Sequence, residues 1–174
     1  MRLVTYSHGS TARLGAVNGR LLIDVAHVCE RAGANPPSNA LAAAVDSDCT
    51  AAVHEALAGE RSGSIVQDIG AFRLGVPIPR PGKIFALAAN YPAHAEEVGE
   101  EVRDKASSIP HVFPKLPSSL VAHDAPIVIP PISDMVDYEV ELAVVIGRQA
   151  RGIPCGSALD YIAGYAVFND VSAR

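Results

Sequence analysis

Asp137-Tyr-Glu-Val-Glu-Leu-Ala-Val-Val-Ile146 is the stretch whose reading decides this chain. It reads as a strand, and the run Leu142 to Ile146 predicts burial on both faces. Side chains alternate along a strand, so Glu139 and Glu141 project from the same side. Two like charges that close, beside an apolar run, repel each other and are costly to desolvate. A divalent cation removes both problems. A second strand-like run, Tyr161 to Asp170, ends on a third carboxylate that can supply a further oxygen. An all-carboxylate set of hard donors favours Mg²⁺, Mn²⁺ or Ca²⁺ over Zn²⁺ or copper.

Composition sets the frame around that strand. The chain has 174 residues, 49% of them apolar, and a net charge of −5, which provides for one sizeable core and a small appendage. Basic residues are scattered and aromatics are only 5%, so nucleic acid is not an expected partner. The longest apolar runs are strand-length, too short to span a bilayer. Met1-Arg-Leu-Val-Thr-Tyr6 reads as a first strand and lacks the apolar core of a signal peptide. Cys29, Cys49 and Cys155 are far apart, odd in number and without metal-type spacing, which fits a reducing cytoplasm.

The first part, residues 1–78, reads as a small α+β domain. Leu3 to Ser7, Ala12 to Val17 and Arg20 to Val25 are expected strands, the last two joined by a hairpin turn at Asn18-Gly19. Ala40 to Leu57 is alanine-rich but contains Asp46 and Asp48, so it is expected to be helical in pieces. Gly75-Val-Pro-Ile-Pro-Arg-Pro-Gly82 marks a boundary. In the second part, residues 79–174, strands are expected at Lys83 to Ala89, Pro126 to Pro130, Glu139 to Gly147 and Tyr161 to Asp170. Pro92 suits a first helical turn after Asn90, and a short helix is expected at Ser157 to Tyr161. Many short strands with Pro/Gly turns and few helices predict an α+β, β-rich fold, a barrel or roll.

Several of these segments resemble the fumarylacetoacetate hydrolase family. They are Lys83-Ile with Asn90-Tyr91 and His94, Phe113-Pro-Lys115-Leu-Pro-Ser-Ser119, Val128-Ile-Pro-Pro131, Val136 to Gly147, and Ala163 to Arg174. The resemblance runs from about Arg80 to the end and implies a mixed β-sandwich roll, a bound Mg²⁺ or Mn²⁺ with Ca²⁺ as a substitute, a small keto-acid substrate and a homodimer. It implies that Glu139, Glu141 and Asp170 are the metal ligands. It also implies that His94 and Glu97 form the His-x-x-Glu pair of the smaller bacterial-type members, which activates water or moves protons, and that Lys115 is a lysine beside the site. Asn90 stands where fumarylacetoacetate hydrolase itself has an aspartate ligand, which points to the smaller, diketo-acid-handling branch. The family continues for a comparable stretch beyond the third ligand, so a complete barrel is not expected from these residues alone.

Carbon–carbon cleavage in a 1,3-dicarbonyl or α-keto acid is the expected reaction, with decarboxylation, isomerisation or hydration as alternatives that share an enolate. A non-catalytic chain that keeps only the metal ligands is the rival of a different class. His8, His27, His54, His111 and His123 have no neighbours that make a constellation and are expected to be structural or surface residues. Gly147, Gly152 and Gly164 read as turn or bulge positions, since no G-x-G-x-x-G pattern follows a strand.

Overall fold

The computed structural model describes residues 1–58, 66–88, 90–97, 99, 104 and 107–173; the side chains of Val66, His94 and Glu97 lie outside the description. Contacts divide the chain into two units, Met1–Ile78 with Val121–Arg174, and Pro79–Leu120.

In the larger unit, β1 (Arg2–His8), β2 (Thr11–Asn18), β3 (Leu21–Asp24), β4 (Val66–Asp68) and β5 (Leu74–Gly75) form an antiparallel sheet in the order β4-β3-β2-β1-β5. Gly9 and Gly19 open the two hairpin turns with φ of +63° and +59°. Positive φ at the first loop position only is what a two-residue type II′ turn demands. Asn18 pairs with Leu21, so the second turn is Gly19-Arg20, one residue later than the Asn-Gly pair suggests.

Helices α1 (Val25–Arg31), α2 (Ala40–Val45) and α3 (Ser47–Ala58) pack on the sheet face that carries Ala16 and Ile23. The break between α2 and α3 falls at Asp46, whose carboxylate accepts the Cys49 N–H at 2.9 Å. Helix α1 is absent from the sequence reading, which carries a strand through Val25. Asp24 ends that strand instead, because its side chain accepts the His27 N–H at 2.9 Å and caps the helix. Val25, Val28 and Cys29 of α1 meet Cys49, Ala52 and Val53 of α3 in the main core. Burying a valine-sized side chain there contributes about 1.5–3 kcal/mol. Tyr6, Val17 and Leu22 are buried on the opposite sheet face against Ile69, Phe72 and Leu74.

The same unit contains β8 (Val136–Asp137), β9 (Val140–Ile146), β10 (Ile162–Asn169) and β11 (Ser172–Ala173). Strand β9 pairs with β10 and β8 with β11, all antiparallel. A 3₁₀ turn over Cys155–Tyr161 leads into β10, longer than the Ser157–Tyr161 helix expected. The ladder shifts between Ile162 and Gly164, so Gly164 does sit at a bulge, and Gly152 has a turn φ of +61°. Gly147 is tight for another reason: a Cβ there would lie 2.9 Å from the Ala163 Cβ and 3.1 Å from Val45 of α2.

Two expectations need correction. Strand β9 is not buried on both faces. Its exposure alternates, with Val140, Leu142, Val144 and Ile146 exposed, because the described residues pair it with β10 alone and lay nothing over that face. Pro126–Pro130 forms no strand; the prolines at its ends have no N–H to give to a ladder.

In the smaller unit, β6 (Ile84–Ala88) and β7 (His111–Lys115) form an antiparallel pair, and α4 (Pro92–Glu97) follows β6. Pro114 sits opposite Phe85, which a strand paired on one side only tolerates. Ala89 and Arg174, the ends of two expected motifs, lie outside the described residues. The result is an α+β, β-rich fold whose described strands do not close into a barrel. None of the described helices is long and apolar enough to cross a membrane.

Candidate metal centre

The register of one ladder organises the three carboxylates. Glu141 pairs with Phe168 and Val140 with Asn169. Asp137 and Val136 pair with Ser172 and Ala173 in the same register. Between the two ladders, the Asp170 N–H donates to the Glu139 carbonyl at 2.8 Å. Glu139 therefore stands across from Asp170, and Glu141 lies two residues along. Facing residues of an antiparallel pair share a side, and so do residues two apart, so all three carboxylates belong to one face. That face continues through Ala143 and Val145, while the other carries the exposed Val140, Leu142, Val144, Tyr165 and Val167.

Asn169 fixes this arrangement, since its side-chain oxygen accepts the Glu139 N–H at 3.1 Å. The sequence reading gave it no role, although it is the middle residue of Phe168-Asn169-Asp170. Asp170 is 3% exposed, whereas Glu139 and Glu141 are half-buried. The Oδ1 atom of Asp170 is buried without a hydrogen-bond donor, and the residue is engaged through other atoms. Holding a carboxylate at that depth is expensive unless a positive charge or several donors compensate it. As chemistry, three carboxylates on one face suit a hard divalent cation. Among the described residues, however, no three acidic, histidine or cysteine side chains are drawn close enough to hold an ion. The donors are aligned in register and not gathered into a cage.

The remaining expected site residues belong to the smaller unit. His94 and Glu97 are on α4, three residues apart, and their side chains lie outside the description. Lys115 ends β7 directly opposite Ile84 and is half-buried. Asn90 lies two positions before the first residue of that helix, Pro92.

Beyond the expected residues, the sheet face with Tyr6 holds a buried polar group. Tyr6 donates its hydroxyl to Asp24, and Arg13 Nε lies 2.7 Å from the same carboxylate. Burial, followed by the bond to Asp24, pushes the Tyr6 hydroxyl well above the ordinary tyrosine range. These residues line a cavity of about 200 Å³ with His8, Leu22, His27 and Gln67. At the surface, the Gly70 N–H and the Arg20 guanidinium hold Asp68 below the usual carboxylate range.

Residues 83–174, more than half of the sequence, match the family model described as fumarylacetoacetate hydrolase, C-terminal. The chain belongs to that family. An uncharacterized protein of Pyrococcus abyssi is 47% identical over 103 residues, which cover 59% of this chain and 44% of the relative. The human mitochondrial oxaloacetate tautomerase is 41% identical over 98 residues, covering 56% of this chain and 30% of that one. Among solved structures, the maleylpyruvate hydrolase of Sphingobium sp. SYK-6, crystallised with manganese(II) and pyruvate, superposes with a TM-score of 0.76 at 28% identity. That superposition covers all of this chain and 60% of the hydrolase. The chain thus spans about half the length of the relatives it matches.

Proposed function

We propose that this chain provides the metal-binding part of a divalent-metal-dependent enzyme acting on a small 1,3-dicarbonyl or α-keto acid. The observation that carries the reading is the register that aligns Glu139, Glu141 and Asp170 on one face within the family-matched region. Those three residues would hold Mg²⁺ or Mn²⁺. When bound, such an ion supplies a Lewis acid that polarises a chelating carboxylate and its neighbouring carbonyl, favouring enolate character.

The protein's own residues then divide the proton chemistry. His94 removes a proton from the attacking water in the hydrolytic reaction, and Glu97 orients the imidazole and stabilises its charged form. Such a general base contributes on the order of a hundredfold or more. Lys115 pairs with a substrate carboxylate and fixes its orientation. Apolar neighbours such as Phe168, opposite Glu141, limit water at the carboxylates.

Cleavage of an acylpyruvate-type substrate is the leading reaction, supported by likeness to a maleylpyruvate hydrolase. Keto–enol interconversion of an α-keto acid is the second reading, favoured by likeness to an oxaloacetate tautomerase. A homodimer and a cytoplasmic setting complete the proposal, and sedimentation analysis checks the first. The decisive test is turnover of acylpyruvates and oxaloacetate with Mg²⁺ or Mn²⁺ against EDTA. Activity lost with chelator supports the reading. Failure to bind Mg²⁺ or Mn²⁺ sinks it, and bound metal without turnover of either substrate favours the non-catalytic metal-binding chain over the enzyme. His94→Ala should lower turnover far more than metal affinity, and equal loss of both would remove His94 from proton transfer.

A further inference from the structure

Cys29 and Cys49 are 20 residues apart in sequence, yet α1 and α3 bring their sulfurs to 3.2 Å. Both are 0% exposed and sit in the core among Ala16, Val25, Val28, Ala43 and Val53. We propose that this pair is a reversible dithiol–disulfide site that fastens α1 to α3. The sulfurs need to close by about 1.2 Å to reach a bond of about 2.05 Å, a displacement within reach of side-chain rotation. A ring closed between the two helices constrains the unfolded chain and so raises the stability of the domain.

The oxidant is a small-molecule disulfide of the glutathione class. One cysteine, as thiolate, attacks it, forming a mixed disulfide and releasing one thiol. The second cysteine displaces the other thiol, so one protein S–S bond forms, the glutathione S–S bond breaks, and both protons leave with the two released thiols. Burial, the contact with Cys29 and the negative charge of Asp46 push the Cys49 thiol up to about 12. Thiolate is therefore scarce in the closed domain, and exchange proceeds through local opening of α1 or α3. The site responds slowly to the thiol–disulfide balance of its surroundings and, once formed, resists reduction for the same reason.

The test uses the full chain with Cys155→Ser, which removes the one exposed cysteine among the three. The protein is refolded from urea into buffers of graded ratios of oxidised to reduced glutathione, then acid-quenched, denatured, alkylated and mapped without reduction. The expected product is a protein two hydrogens lighter, with a Cys29–Cys49 cross-linked peptide pair and a raised thermal midpoint. Full alkylation of both cysteines at every ratio overturns the proposal. So does glutathione retained as a mixed disulfide on either residue without the cross-link.

Discussion

Neutralising Asp170 should strengthen the metal-free fold and abolish its response to metal. Glu139 and Asp170 face each other across the ladder, a position at which Cβ atoms lie about 4.5–5.5 Å apart. Two carboxylates about 5 Å apart repel by roughly 3 kcal/mol at an effective dielectric of about 20. Glu139 is only half-buried, so solvent reduces that to about 1 kcal/mol. Asp170→Asn keeps the shape and removes one charge, so in EDTA the variant should gain up to about 1 kcal/mol over the parent. The parent should gain about 2.7 kcal/mol from Mn²⁺ at a hundred times its dissociation constant. For a chain of this size that is a rise in melting temperature of roughly 5–10 °C. Thermal unfolding of both proteins by calorimetry, in EDTA and in Mn²⁺, reads all four states. An undiminished Mn²⁺ shift in Asp170→Asn would refute the ligand assignment. A loss of more than about 2 kcal/mol in EDTA would show that the carboxylate anchors the fold instead.

Two further outcomes follow from the larger unit. The hydroxyl of Tyr6 is raised above its ordinary value of 10.0, so the folded state holds that proton more tightly than the unfolded one. Its contribution is complete below the unfolded pKa of about 10 and declines as pH rises above it; Tyr6→Phe should flatten the fall in urea midpoint between about pH 10 and 11.5, and an unchanged slope would show that another group titrates there. Gly147→Ala places a Cβ 2.9 Å from that of Ala163 and against Val45 of α2, so overpacking should cost about 1–3 kcal/mol in urea unfolding; a neutral result would mean that α2 yields without penalty.

The sequence by itself determined the alternation that puts Glu139 and Glu141 on one side, because the strand period of two is written into their spacing. It also determined a hairpin beside Gly19, though one residue early, and the interruption at Asp46, where turn chemistry and a helix-capping side chain act locally. The family-matched segments were equally legible, being long and ordered along the chain. Helix α1 was not legible, because Leu21 to Val25 has the composition of a strand, and only the capping bond from His27 to Asp24 shows where the helix takes over. Nor could periodicity reveal the open face of β9, since Leu142 to Ile146 reads the same whether or not a layer covers it. Tertiary structure alone decided which carboxylate faces which and that Cys29 meets Cys49. The physical reason is the same in each case: ladder register and helix packing join residues that are 20 or more positions apart, and no local propensity encodes that distance.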